Sequence, residues 1–259
     1  MEKIRAAMLI APMGHDVARI SEQFVKWMEK SGIFAVKRAG DFPGSTVSIH
    51  DFLTDKENVA WTEVFLLMCP DESFDAETMD ILEQAVAGGK GILCYHGVHP
   101  CYRDWPAMEA MIGLLWRETA SHGDYDYFTV QPTLPEHPIM EGITPFETKE
   151  ELYCGLSNVQ NVPLTVLATA HSPKERISRH GQPGTGNEEP VLTLGSYGKG
   201  ITVNFLLGHV WTHYTGHGLL ENTLLSLRPP QFKTLLLRSC EWAARGEIVL
   251  TKGEHDENN

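Results

Sequence analysis

One stretch near the middle of the chain, VAGGKGILCYHGVHPC at positions 86–101, constrains the fold more than any other. Gly88-Gly89 stop a helix, Gly91–Tyr95 form a short apolar strand, and the chain then breaks into a polar turn that begins at His96-Gly97 and carries His99. In an open α/β sheet, ligands bind outside the carboxyl ends of the strands. A histidine one residue past such a strand is therefore delivered to a crevice by the backbone itself. Gly97 is expected to supply the positive φ that a tight corner needs, and His96 to be the side chain lifted above the sheet, as at a nucleophile elbow. The plainer alternative is a strand end with a solvated histidine.

The rest of the chain repeats the pattern. Residues 5–11 read as a buried strand, followed by the loop Pro12–Asp16. Val17, Ile20, Phe24, Trp27 and Met28 then recur at the spacing of one helix face, up to Ser31-Gly32. Ile33–Lys37 is a second strand, so the opening is strand–helix–strand, the unit of a parallel sheet. Asp41–Asn58 is polar, with turn residues at Pro43-Gly44. Val64–Cys69 is a continuous apolar run, as expected of a strand covered on both faces. Met79, Leu82 and Val86 mark the helix before Gly88-Gly89, and Met108, Met111, Ile112, Leu115 and Trp116 predict another. Residues 117–150 change character: charged, aromatic and proline residues predict an inserted, extended lobe and not a further strand–helix–strand unit. Leu164–Ala170 is a strand, His171–Pro190 a glycine- and proline-rich loop, and Val191–Leu194 with Ile201–Leu207 a hairpin around Gly198-Lys199-Gly200. Pro229-Pro230 opens the last helix. Together these predict one doubly wound, three-layer α/β domain over residues 1–250, with an insertion at about 117–163 and an acidic, disordered tail at 251–259.

Composition excludes some functions. The 259 residues carry a formal net charge of −13, which argues against nucleic acid and anionic membrane as partners, since phosphate binding needs a basic face. No run reaches the length of a membrane span. The apolar stretch near the N-terminus is too short for a secretory signal and reads as the first strand. Five cysteines with no CxxC spacing fit reduced thiols in a cytoplasmic protein. Gly184-Thr185-Gly186-Asn187 lacks the Lys-Ser/Thr of a phosphate loop and no GxGxxG follows the first strand, so no nucleotide cofactor is expected. GxSxG is absent as well.

Twelve histidines remain as the chemical signal. His15, His96, His99 and His209 each follow an apolar strand. If those strands are parallel, their ends share one edge and the rings can converge, which suits a divalent metal or acid–base work; the alternative is that they share an edge without meeting. His96 and His209 are the metal-ligand and catalytic candidates, with zinc the expected ion. Glu151, beside Glu150, is a candidate carboxylate, although paired glutamates at a surface turn are commonly just solvated. His15, Tyr153, Trp211 and His213 are candidates for substrate contacts, the aromatic ones by stacking on a sugar ring, with core packing the alternative for Trp211. Cys94, inside the strand, reads as a small core residue and not as part of a zinc knuckle with Cys101.

These residues resemble a family. Gly14-His15-Asp16, Gly88-Gly89 with Gly91-Ile92 and His96, His137-Pro138-Ile139 with Gly142, Glu150-Glu151-Leu152-Tyr153, Gly198-Lys199-Gly200 with Leu207-Gly208-His209, and Glu241-Trp242-Ala243 occur in the order found in trehalose-utilisation (ThuA-like) proteins. The resemblance covers almost the whole chain. It implies a flavodoxin-like fold of the class I glutamine amidotransferase type, and a role in bacterial catabolism of trehalose or a related, including an oxidised, sugar. Glu150 stands where the family usually has Asp, and His99, Cys101 and the long 171–190 loop are further departures. The amidotransferase comparison puts a cysteine nucleophile at the elbow; here His96 occupies it. Besides a sugar-directed enzyme, the sequence leaves open a non-catalytic sugar-binding module, a Cys94-dependent hydrolase and a homo-oligomeric assembly.

Overall fold

The computed structural model describes residues 2–178, 181–211 and 224–251. Its first strand, β1 (Ile4–Ile10), is buried on both faces. Ile4, Ala6, Met8 and Ile10 join one apolar cluster and Ala7 and Leu9 join the other, the consequence of period-two alternation in a strand covered from both sides. Helix α1 (Val17–Ser31) follows. The Asp16 carboxylate accepts a hydrogen bond from the Arg19 N–H at its start, and Gly32 ends it in the left-handed region at φ 70°. Then come β2 (Phe34–Gly40), α2 (Ile49–Thr54), α3 (Lys56–Trp61), β3 (Val64–Met68), α4 (Ala76–Ala87), β4 (Gly91–Tyr95) and α5 (Pro106–Ile112).

One stretch gains elements in this half and one expected helix is shortened. The polar Asp41–Asn58 stretch contains two one-turn-scale helices, capped by the Ser48 hydroxyl and the Asp55 carboxylate; they are too short for a periodic signal, and Ile49, Phe52 and Leu53 hold the first against the sheet. The helix expected to continue through Leu115 and Trp116 stops at Ile112, because Gly113 takes φ 72°.

Beyond α5 lie β5 (Ser121–His122), β6 (Asp126–Pro132), β7 (Phe146–Glu150), β8 (Tyr153–Cys154), β9 (Thr165–His171), β10 (Glu188–Tyr197), β11 (Gly200–Phe205) and α6 (Pro230–Arg245). The main sheet has nine strands in the order β2-β1-β3-β4-β11-β10-β9-β6-β7. From β2 to β11 every pairing is parallel; from β11 to β7 every pairing is antiparallel. β5 and β8 form a separate two-stranded ribbon. Helices α1 and α6 pack on one face, and α2, α4 and α5 on the other. This is a mixed, mostly parallel α/β sandwich whose parallel half has the flavodoxin-like 2-1-3-4-5 order. Among the described residues no helix is long and apolar enough to cross a membrane.

Candidate functional site

Because β1, β4 and β11 run in the same direction, the loops that follow them leave the sheet at one rim. His15 lies in the loop after β1, His96 directly after β4, and His209 four residues after β11. Their rings meet. His15 Nε2 and His96 Nε2 each stand 3.2 Å from His209 Nδ1, and the His15 and His96 ring centroids are 4.9 Å apart, edge to face. Among the described residues this is the group of side chains able to hold a metal ion: one nitrogen from each ring, all within 4.8 Å of one another.

The backbone sets these rings. His96 is the corner residue, held at φ 25°, a region that L-residues seldom occupy and that recurs where function over-determines the geometry. Gly97 was expected to supply the positive φ. It does not; its role is close approach, since a Cβ there would lie 2.6 Å from His15 Nδ1. His96 Nδ1–H donates to Leu206 O at 2.6 Å and His15 Nδ1–H to Met13 O at 3.1 Å. A carbonyl only accepts, so both protons sit on Nδ1 and both Nε2 lone pairs face the third ring. Burial pushes the His15 pKa down to about 4 and holds that of His96 well below the ordinary histidine value, helped by the neighbouring His15. Both rings are neutral near pH 7.

The antiparallel half supplies the wall. Glu150 and Glu151 end and follow β7, and neither is solvated: they are 0% and 4% exposed. Glu150 Oε2 accepts the Gly208 N–H at 2.6 Å and the His209 N–H at 3.2 Å, while Thr148 Oγ1 donates to Oε1 at 3.1 Å. Burial nevertheless pushes the Glu150 carboxyl up to about 8. Tyr95 Oη–H donates to Gly208 O from the other side, so the turn carrying His209 is clamped at both its N–H and C=O groups. Glu151 Oε2 lies 3.6 Å from His209 Nδ1 and 3.4 Å from His122 Nδ1. Tyr153 stacks on His96 with centroids 4.3 Å apart, and Trp211 packs edge-on to His209 at 4.3 Å. Trp116 meets Tyr153, and Tyr125 meets both His209 and Trp211.

Trp116 is read in the sequence as a helix-face residue, and His122 and Tyr125 lie where composition suggests only an extended lobe; pairing of β5 with β8 brings His122 to this wall. His99 stays apart: its buried ring donates from Nδ1 to Leu114 O at 2.7 Å, and burial lowers its pKa to about 4. His213 lies outside the described residues. Cys94 is fully buried within an apolar cluster, and its surroundings drive the thiol pKa far upward. All five cysteines are free thiols.

Strand order and rim thus define a flavodoxin-like α/β protein with three imidazoles gathered at the carboxyl ends of its parallel strands. Residues 11–243 match the model of the ThuA family, described as trehalose utilisation, and the chain belongs to that family. A ThuA-like protein from Parabacteroides merdae shares 23% identity over 96% of this chain and 92% of its own, with a TM-score of 0.76. One from Bacteroides uniformis shares 15% over 94% and 93%, with a TM-score of 0.63. A cytoplasmic protein from Salmonella typhimurium shares 12% over 94% and 100%, with a TM-score of 0.59. At these identities the likeness is one of fold. No curated protein matches the chain.

Proposed function

We propose that the chain is a cytoplasmic bacterial enzyme acting on trehalose or a related glycoside, oxidised or not, and that His15, His96 and His209 form its metal-assisted centre. The observation that carries this reading is the orientation of the rings. His15 and His96 both point bare Nε2 atoms at His209 Nδ1. A single proton on His209 bridges the two contacts poorly, whereas a cation shared by all three nitrogens satisfies them together. Tetrahedral nitrogen ligands about 2.0–2.1 Å from a zinc ion stand roughly 3.3 Å apart, close to the two 3.2 Å separations found here. The main-chain carbonyls on the far side of His15 and His96 are the partners that metal-binding imidazoles commonly have. The third pair, His15 and His96, is held within 4.8 Å, so the donor set suits a divalent ion such as zinc, and in this reading His15 joins His96 and His209 as a ligand.

A divalent ion held there supplies Lewis-acid polarisation of a carbonyl or activation of water. The side chains do the rest. Glu151, beside His209 and His122, accepts or returns a proton at Oε2. Tyr153 fixes the plane of His96, and Trp211 offers a ring face to the sugar. His213 is a further substrate contact in this reading. Cys94 is not the nucleophile: its thiol is fully buried and held protonated.

The test is substitution. His96→Ala and His209→Ala are each expected to abolish turnover or sugar binding while leaving a folded protein by circular dichroism. Full activity in both variants contradicts the site. Saturable sugar binding without any product would instead identify a non-catalytic binding module.

A further inference from the structure

The parallel strands form a second cleft at the same rim. β1 leads into β2 through α1 on one face of the sheet, and β3 leads into β4 through α4 on the other. The connections diverge between β1 and β3, and the crevice at such a divergence is a preferred place for ligands in open α/β sheets. Here it is a cleft of about 510 Å³, within the size range of small-molecule sites. Ala11, just past β1, and Gly40, at the end of β2, line its base, and Ser73 lines it from the turn that follows β3.

The remaining wall is the segment from Asp41 to His50, and the backbone fixes where it starts. The Asp41 N–H donates to Ile10 O and the Gly40 N–H to Val47 O, both at 2.8 Å. Gly40 sits at φ 127°, and a Cβ there would stand 1.8 Å from Ile10 O. Any side chain at that position would break the junction. The junction at one end of the cleft is thus fixed by the strand ends, and the segment that supplies most of its wall is tied back to it through Val47.

Its chemistry narrows the ligand. Ser45, Thr46, Ser48, Ser73, Asp41 and His50 line it, and no lysine or arginine does. The Ser48 hydroxyl is engaged with Asp51, Ser45 Oγ–H donates to Val47 O and His50 Nδ1 lies 2.8 Å from Asp75 Oδ2, so the polar groups with no such partner among the described residues include those of Asp41 and Thr46. Phosphate and carboxylate recognition draws on cationic side chains, and Asp41 repels an anion. A neutral polyol matches better, because its hydroxyls donate to a carboxylate and exchange bonds with other hydroxyls. His15 of the histidine centre is four residues beyond Ala11 in the loop after β1.

We propose that this switch-point cleft is a second seat for a neutral sugar unit, separate from the histidine centre. The proposal rests on the functional reading above only in taking the ligand to be a sugar. The unit is either the second ring of a disaccharide held at the histidine centre or an independent monosaccharide.

Calorimetric titration of the unsubstituted protein, Thr46→Trp, Asp41→Asn and His96→Ala with trehalose and with glucose separates these cases. Thr46 is exposed, so tryptophan there fills the cleft without entering the core. Thr46→Trp is expected to weaken sugar binding at least tenfold with an unchanged melting temperature, and Asp41→Asn to weaken it in the same direction. Weakening of trehalose alone identifies the second-ring seat; loss of a glucose site that His96→Ala retains identifies the independent one. Unchanged isotherms for both sugars in Thr46→Trp and Asp41→Asn overturn the second seat, and the histidine reading stands if His96→Ala still abolishes binding. Loss of trehalose binding in Thr46→Trp with full trehalose binding in His96→Ala keeps the seat and overturns the histidine reading. Failure of the unsubstituted protein to bind either sugar overturns both.

Discussion

The parallel and antiparallel halves of the sheet bring unlike things to one rim. The parallel half contributes the imidazoles, and does so almost by necessity: β1, β4 and β11 point the same way, so the loops after them emerge together. The antiparallel half contributes carboxylates and aromatic rings, and only long-range pairing delivers them. Glu150 reaches the rim because β7 pairs with β6, β6 with β9 and β9 with β10. The two halves meet in the bonds from the Gly208 and His209 N–H groups to Glu150. The imidazoles are thus seated on the half fixed by topology, and the turn that carries His209 is held by the half fixed by register.

This contrast can be broken in order of effect. Removing a ring from the parallel half, by His96→Ala or His209→Ala, should lower kcat/KM or sugar affinity by at least about 100-fold, the upper end of what loss of even a ligand's outer hydrogen-bond partner costs, with secondary structure retained. Next comes His99, which is buried in the same half but outside the centre. Its folded-state pKa of about 4 lies below the ordinary 6.5. The unfolded chain therefore binds a proton that the folded one refuses between those values, and stability falls as pH drops through that window. The effect amounts to about 3 kcal/mol once pH is below 4. Urea titrations at pH 7 and pH 4.5 should show a smaller pH-dependent loss for His99→Gln than for the unsubstituted protein; equal losses would remove His99 from the account.

The junction between halves is tested by Glu150→Gln. One carboxylate oxygen accepts two N–H groups here, and an amide can turn a donor toward them. The expected cost is about 1–3 kcal/mol in urea unfolding, together with loss of activity through misplacement of His209. An active Glu150→Gln protein of full stability would show that the antiparallel half does not position the ring. The smallest effect belongs to Cys94→Ala. With its thiol sealed in the core, the variant should keep full turnover, and an inactive yet folded variant would restore a cysteine-dependent reaction.

The two halves also differed in how far they could be read from the residues. The strands at 5–11, 64–69 and 91–95, the hairpin around Gly198-Lys199-Gly200 and the elbow at His96 are local signals, each carried by an apolar run and its punctuation. Helices α2 and α3 escaped because a six-residue helix barely completes the period by which helices are recognised. Glu150 and Glu151 looked like surface groups, since nothing near them in sequence shows that β7 ends under the His209 turn. Gly97 was flagged as necessary for the wrong reason: the contact it permits, with His15, spans 82 positions of chain. His122 and Tyr125 carry no local signal beyond composition, and Trp116 carries a helical one that Gly113 ends.

The central claim is that three imidazoles share one ion, and counting metal per chain tests it most directly. Elemental analysis of protein purified without chelator or affinity tag should find close to one equivalent of a divalent transition metal, zinc foremost. The His96→Ala and His209→Ala proteins should lose it. A metal-free protein that takes up none on equilibration with zinc, or one whose metal content is unaffected by both substitutions, would contradict the account.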